Sequence, residues 1–160
     1  MFDPQAFWTF SLQQYSKSNV QPLMLKAQNQ YGININLALL CHWMDVQMLS
    51  LTDSQLTSLA KIAASVSQSY TQPLRALRTT LKQQWINQGL DDADYNQLKS
   101  SLLDTELQFE RFEQQELIHA LNALLPEPIS GSRVVLSRYL SMHDIPVSIQ
   151  SELLDFLNNY

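Results

Sequence analysis

ADYNQLKSSLLDTELQFERFEQQELIHALNALL, residues 93–125, decides the fold. It is the longest helical pattern in the chain, opened by Asp91-Asp92 after Gly89 and ended by Pro126 and Pro128. As one α-helix it would run roughly 50 Å at 1.5 Å per residue. Its apolar positions include Leu103, Leu117, Leu121 and Leu124. Glu106, Glu110 and Glu113, at i, i+4 and i+7, fall among those leucines and not opposite them. A carboxylate on an apolar stripe is expensive to bury unless it finds a partner.

The partner row lies just upstream. Arg75, Arg78 and Lys82 share one side of the segment PLRALRTTLKQQW, beside Leu74, Leu77 and Leu81. A short turn at 89–92 makes this helix the antiparallel neighbour of the long one. Arg75 should then face Glu106, with Arg78 within a turn of it. One reading is a partly buried salt-bridge seam that sets the register of the hairpin. In that case Arg75→Ala costs about 3–5 kcal/mol, as for a broken buried pair. The other reading is a ligand site in which Arg75 and Arg78, oriented by Glu106 and Glu110, hold a phosphate or carboxylate, closed by Tyr70 or Trp43.

Upstream, the helical pattern repeats. Asp3-Pro4 is an N-cap followed by proline at the first helical position. The first helix runs to about Lys17 and carries FWTFSLQQY, with Phe7, Trp8, Ser11, Leu12 and Tyr15 on one side, chiefly as core. Asn19 caps a second helix that stops at Gly32. Asn34 or Asn36 opens a third, LALLCHWMDVQML, apolar nearly all round and so central to the fold. Thr52-Asp53-Ser54-Gln55 is a capping box. It opens a fourth helix with Leu56, Leu59, Ile62, Ala63 and Val66 spaced for burial. Pro73 marks a break or kink. Beyond residue 126, an exposed loop over 126–132 leads to a short helix near Arg133–Met142 and a last one capped by Ser148. The expectation is all-α: one domain over 1–160, a bundle of about seven or eight helices.

Bulk properties agree. Of 160 residues, only three are glycine, too few for the tight turns of a sandwich or barrel. Residues 1–90 hold six of the ten basic residues, and 91–160 hold twelve of the fifteen acidic ones. The net charge of −5 gives no field that favours nucleic acid. The N-terminal MFDPQAFW has no basic n-region, and the longest apolar run, Leu37–Cys41, is too short to cross a bilayer. With a single cysteine as well, the chain reads as cytoplasmic, with no membrane partner.

Catalytic and metal motifs are weak. Glu116-Leu-Ile-His119 is one E-x-x-H element, where a di-iron bundle needs two and further glutamates. A surface ion pair is the better reading, and no metal or cofactor is expected. Cys41 and His42 are adjacent, so their side chains diverge on a helix. Ser130-Gly131-Ser132-Arg133 offers an anion nest at a helix start, with simple capping as its competitor. No residue is assigned a catalytic role.

FWTFSLQQY, the stretch V-x-x-x-x-L-x-x-Q with YGININLALLCHW, and QPLRALRTTLK occur in that order. Together they resemble a bacterial family of uncharacterised all-helical proteins, a domain of unknown function. Its members open with FW-x-FSL-x-x-Y and carry a PLR-x-LR motif before a glutamate-bearing helix. The likeness spans residues 7–113 and marks Phe7, Trp8, Phe10, Tyr15, Gly32, Asn36, Trp43, Arg75 and Arg78 as family-type positions. It implies a helical, cytoplasmic protein and carries no activity with it. Two functions follow from the whole sequence. The first is a non-enzymatic module that binds a protein partner or itself, which predicts a small or dry pocket and an exposed apolar patch. The second is binding of a small anionic ligand, or catalysis on it, at Arg75, Arg78, Glu106 and Glu110.

Overall fold

A computed structural model describes residues 1–89, 91–129 and 131–159. Among these residues eight α-helices follow in order: α1 (Pro4–Tyr15), α2 (Val20–Tyr31), α3 (Ile35–Val46), α4 (Asp53–Val66), α5 (Gln72–Gln88), α6 (Asp92–Leu124), α7 (Val135–Ser141) and α8 (Val147–Asn158). The all-α expectation holds, and the long helix falls where the 93–125 pattern places it. α3 is the central element: every residue from Leu37 to Asp45 is buried. Around it gather Phe7 of α1, Met24 of α2, Leu56 and Leu59 of α4, Leu117 and Leu121 of α6, Tyr139 of α7 and Leu153 of α8.

Local chemistry sets most of the boundaries. The Asp3 carboxylate accepts from the backbone N–H groups of Gln5 and Ala6. Thr52 and Gln55 form the reciprocal capping box at the start of α4. Gly32 and Gly89 end α2 and α5 with φ of +73° and +61°, where a side chain would be strained. Two expected caps differ. Asn19 precedes α2 but sits left-handed and makes no capping bond. α8 begins at Val147 after Pro146, which places Ser148 inside the helix.

Pro73 does not break the chain. α4 and α5 are joined by a five-residue π-helical turn, Ser67–Thr71, and the residues on either side keep right-handed helical angles. Proline lacks an N–H and its ring crowds the preceding turn. The wider π turn absorbs that conflict while the helical backbone runs on.

Two further features have no helical signature. Leu49–Ser50 (β1) pairs antiparallel with Glu127–Pro128 (β2), Leu49 opposite Pro128. The Ile129 N–H also donates to the Met48 carbonyl at 3.0 Å. The start of the 126–132 segment, expected as a loop, is thus fastened beside the α3–α4 connection. Second, the buried Asp45 carboxylate accepts from the backbone N–H groups of Val135 and Leu136 at 2.8 and 3.0 Å. A side chain of α3 caps α7 across 90 residues of sequence. Ser130 lies outside the described residues, so the nest expected at 130–133 is not placed. The anion at the start of α7 is Asp45.

Candidate functional site

A cleft of about 960 Å³ opens between α1, α2 and α3 on one side and α4, α5 and α6 on the other. Its floor is a chain of polar side chains held by those helices. Asn34, the N-cap of α3, accepts from the Leu37 N–H through Oδ1 and donates through Nδ2 to Glu113 Oε1 at 2.6 Å. Its backbone N–H donates to the Tyr139 hydroxyl at 2.9 Å, which ties α7 into the floor. Gln114 donates to Asn36 Oδ1 at 2.9 Å, and Ser11 of α1 donates to Gln114 Oε1 at 3.4 Å.

The four sequence-derived candidates all line this cleft. Their pairing differs by one helical turn from the expected register. Arg75 bonds Glu110 at 2.9 Å, and Arg78 grips Glu106 with two bonds of 2.7 and 3.2 Å. The cause is side-chain direction. Helical side chains lean toward the N-terminus of their own helix. Along antiparallel α5 and α6, the long arginines therefore reach toward higher numbers on α6. The pairs are unequal in burial. Arg75 and Glu110 are each about one-third exposed, whereas Glu106 is 8% exposed beneath Arg78. The bond to Glu106 holds the Arg78 guanidinium above its ordinary pKa.

Glu113, two turns along from Glu106, is the member of the row without a cation. It is buried, and no arginine, lysine or histidine pairs with it among the described residues. Burial pushes its carboxyl above the usual range. Amide hydrogen bonds from Asn34 and Asn36 oppose the shift, Glu110 adds to it and Arg75 reduces it. Burial likewise raises Tyr139 and Tyr15, the latter with a smaller push from Glu110.

The FWTFSLQQY helix splits between two roles. Phe7 is core and stacks on Trp43 at 5.2 Å, and Phe10 sits 5.5 Å from the His42 ring. Trp8, Ser11, Leu12 and Tyr15 wall the cleft instead, and Leu12 is exposed there. Neither Tyr70 nor Trp43 closes the site as expected. Tyr70 stacks on Phe109 at 4.7 Å, away from the cleft lining, and Trp43 is locked between Phe2 and Phe7 in the core.

Elsewhere, Glu116 and His119 form a surface contact at 3.5 Å. Among the described residues no three potential ligands converge as a metal site. Cys41 is fully buried, and burial holds its thiol well above the ordinary pKa. The sequence reading stopped at the arginine–glutamate rows. It missed Glu113, Asn34, Asn36, Gln114 and Tyr139 as one network. The one available signal was that Glu113 continues the glutamate row beyond the reach of the three cations on α5.

Fold and site together define an all-helical protein with a large cleft, its walls partly apolar and its floor made of side-chain amides and a buried carboxyl. The chain belongs to the family described as Protein of unknown function (DUF2390), whose model matches residues 6–117. No curated protein and no solved structure gives a significant match. The matched span carries almost the whole cleft. Tyr139 and His143 complete it from beyond that span.

Proposed function

We propose that this protein binds a small polar ligand in the cleft, as a binding protein with no catalytic step assigned. The observation that carries the reading is the cleft itself. A protein-interaction module predicts a small or dry pocket, whereas this one is about 960 Å³ and floored by Asn34, Asn36, Glu113 and Gln114. Preformed concave sites with a few convergent polar groups are the usual form of a small-molecule site. The anionic ligand expected from Arg75 and Arg78 is less well supported, because each guanidinium already bonds a glutamate.

Thermal melts against amines, sugars, amino acids, carboxylates, nucleotides and phosphorylated metabolites test the proposal. A ligand at about 100 times its Kd adds roughly 2.7 kcal/mol, a shift of a few degrees in a domain of this size. Leu12→Trp, at an exposed position on the cleft wall, should abolish the shift while leaving the apo melt unchanged. A shift that survives Leu12→Trp, or no shift with any class, counts against the cleft.

A second reading rests on a separate observation. None of the described residues from Gln72 to Thr105 is buried, and Leu77, Ile86, Leu98 and Leu103 are exposed along this arm. Such a surface supports contact with a protein partner or a second copy. Cytoplasmic residence is part of the proposal too, supported by a lone, buried, reduced cysteine. No helix among the described residues is long and apolar enough to cross a membrane.

A further inference from the structure

We infer that the cleft takes a cationic amine, with its ammonium seated against Glu113 beside Asn34 and Asn36 and its apolar part along Trp8, Leu12 and Tyr15. The inference rests on the ligand-binding reading and names the chemical class of the ligand.

Charge is the first support. Among the described residues the cleft is lined by two guanidiniums, three carboxylates and the His143 imidazole. Arg75 is committed to Glu110 and Arg78 to Glu106, which leaves one carboxyl, Glu113, in excess. An entering anion would meet that excess, and both guanidiniums lining the cleft already bond a glutamate. An ammonium would supply the missing counter-charge, and a charge-assisted bond in a partly desolvated site is strong.

Geometry is the second. Asn34 fixes Glu113 from one side at 2.6 Å, and Asn34 is itself held by its cap bond to Leu37. The carboxyl is thus aimed by the start of α3, not free to fold away. An ammonium has three N–H donors; with one on Glu113, side-chain carbonyl oxygens of amides nearby can accept the remaining two. Glu113 therefore offers one acceptor within a set.

The wall is the third. Trp8, Leu12 and Tyr15 follow i, i+4 and i+7 on α1, so they form a single strip facing the cleft. Ser11 lies between Trp8 and Tyr15 and bonds Gln114, the neighbour of Glu113, at 3.4 Å. That bond ties α1 to α6 one residue along from Glu113. Arg111 already lies over the Trp8 ring, 5.7 Å from its centre, so on this strip an ammonium would find the face of Tyr15, with Trp8 and Leu12 supplying apolar wall.

Three matched probes decide the point with the full-length chain: phenethylammonium, 2-phenylethanol and 3-phenylpropionate, titrated while amide and indole N–H signals are followed by NMR. Phenethylammonium should move the Trp8 indole and the Asn34 and Asn36 side-chain signals, and should bind at least roughly tenfold more tightly than the other two. Glu113→Gln keeps the side-chain size and the acceptor for Asn34, and should erase that preference. Should this variant not fold, the ranking of the three probes on the natural chain decides alone, and Trp8→Ala should weaken the amine by loss of the wall. Equal or tighter binding of the alcohol or the propionate in the cleft overturns the inference and leaves the ligand-binding reading standing. No perturbation of cleft signals by any probe overturns both.

Discussion

The two halves of α6 have the same kind of sequence and opposite surroundings. From Glu113 to Leu121 the helix buries Glu113, Gln114, Leu117, Ile118 and Leu121 against α1, α3 and α4. From Asp92 to Thr105 nothing is buried, and Leu98 and Leu103 stand exposed although their spacing is equally helical. Periodicity shows that a helix has an apolar side. It does not show whether anything covers that side. Between the halves lie Glu106 and Glu110, where the open arm meets the body and the cleft begins.

Deleting packed atoms should hurt only one half. Leu117→Ala, at a fully buried position, should lose about 2–5 kcal/mol, read as a lower urea midpoint at unchanged slope. A loss under about 1 kcal/mol would mean the packed half is not packed as described.

The next effect belongs to the body's buried ionisable groups. Burial is the main cause that pushes the His42 pKa down from 6.5 to about 4, with Lys17 and Arg133 adding to it. Between those values the unfolded chain takes up a proton that the folded chain refuses. Stability is therefore full above about pH 6.5 and falls as the pH drops toward 4, by at most about 3 kcal/mol from this group. Asp45 and Glu113 have raised folded pKa values and act in the opposite sense, losing stability as the pH rises through that region. The difference between the natural chain and His42→Leu isolates the histidine. Unfolding free energies at pH 7 and pH 4.5 should fall less in the variant. An equal fall in both would remove His42 as the cause.

At the junction, the two ion pairs should separate. Arg78→Ala strands Glu106, which is nearly buried, and should cost about 1–2 kcal/mol. Arg75→Ala releases Glu110, already a third exposed, and should cost about 0.2–1 kcal/mol. This is well below the 3–5 kcal/mol expected of Arg75→Ala from a partly buried seam, because Arg75 and Glu110 are each about a third exposed. Denaturant unfolding of the two variants side by side checks the ranking, and a reversed order would contradict the burial asymmetry.

How much of this could be read from the chain depends on the range of each interaction. Asp3, Thr52 with Gln55, Gly32 and Gly89 act within a few residues, so caps and stops were legible. The arginine–glutamate rows were legible as rows, but their register required side-chain direction as well as spacing. Pro73 was legible as a disturbance of the helix, but the π turn over Ser67–Thr71 beside it was not, because no local pattern marks that turn. The cap from Asp45 to α7, the pairing of β1 with β2, and the bond from Asn34 to Glu113 join residues 79 or more positions apart or rest on a two-residue strand. One sequence carries no local trace of such meetings, so the cleft floor appeared only once the helices were assembled.

The smallest expected effect is the most informative about the open half. Leu98 is about half exposed on α6, and alanine is an equally good helix former there. In an isolated molecule Leu98→Ala should change stability by no more than about 0.5 kcal/mol. If a second copy covers the arm, the natural chain should become more stable as its concentration rises, because association adds to the apparent folding energy. Leu98→Ala should then cost clearly more at high concentration than at low. Unfolding curves for both chains across a wide concentration range separate the cases. A flat response with a near-zero cost leaves the arm uncovered by its own kind, so any apolar contact there must come from a different partner. A concentration-dependent cost places the contact on the half of α6 whose leucines the body leaves open.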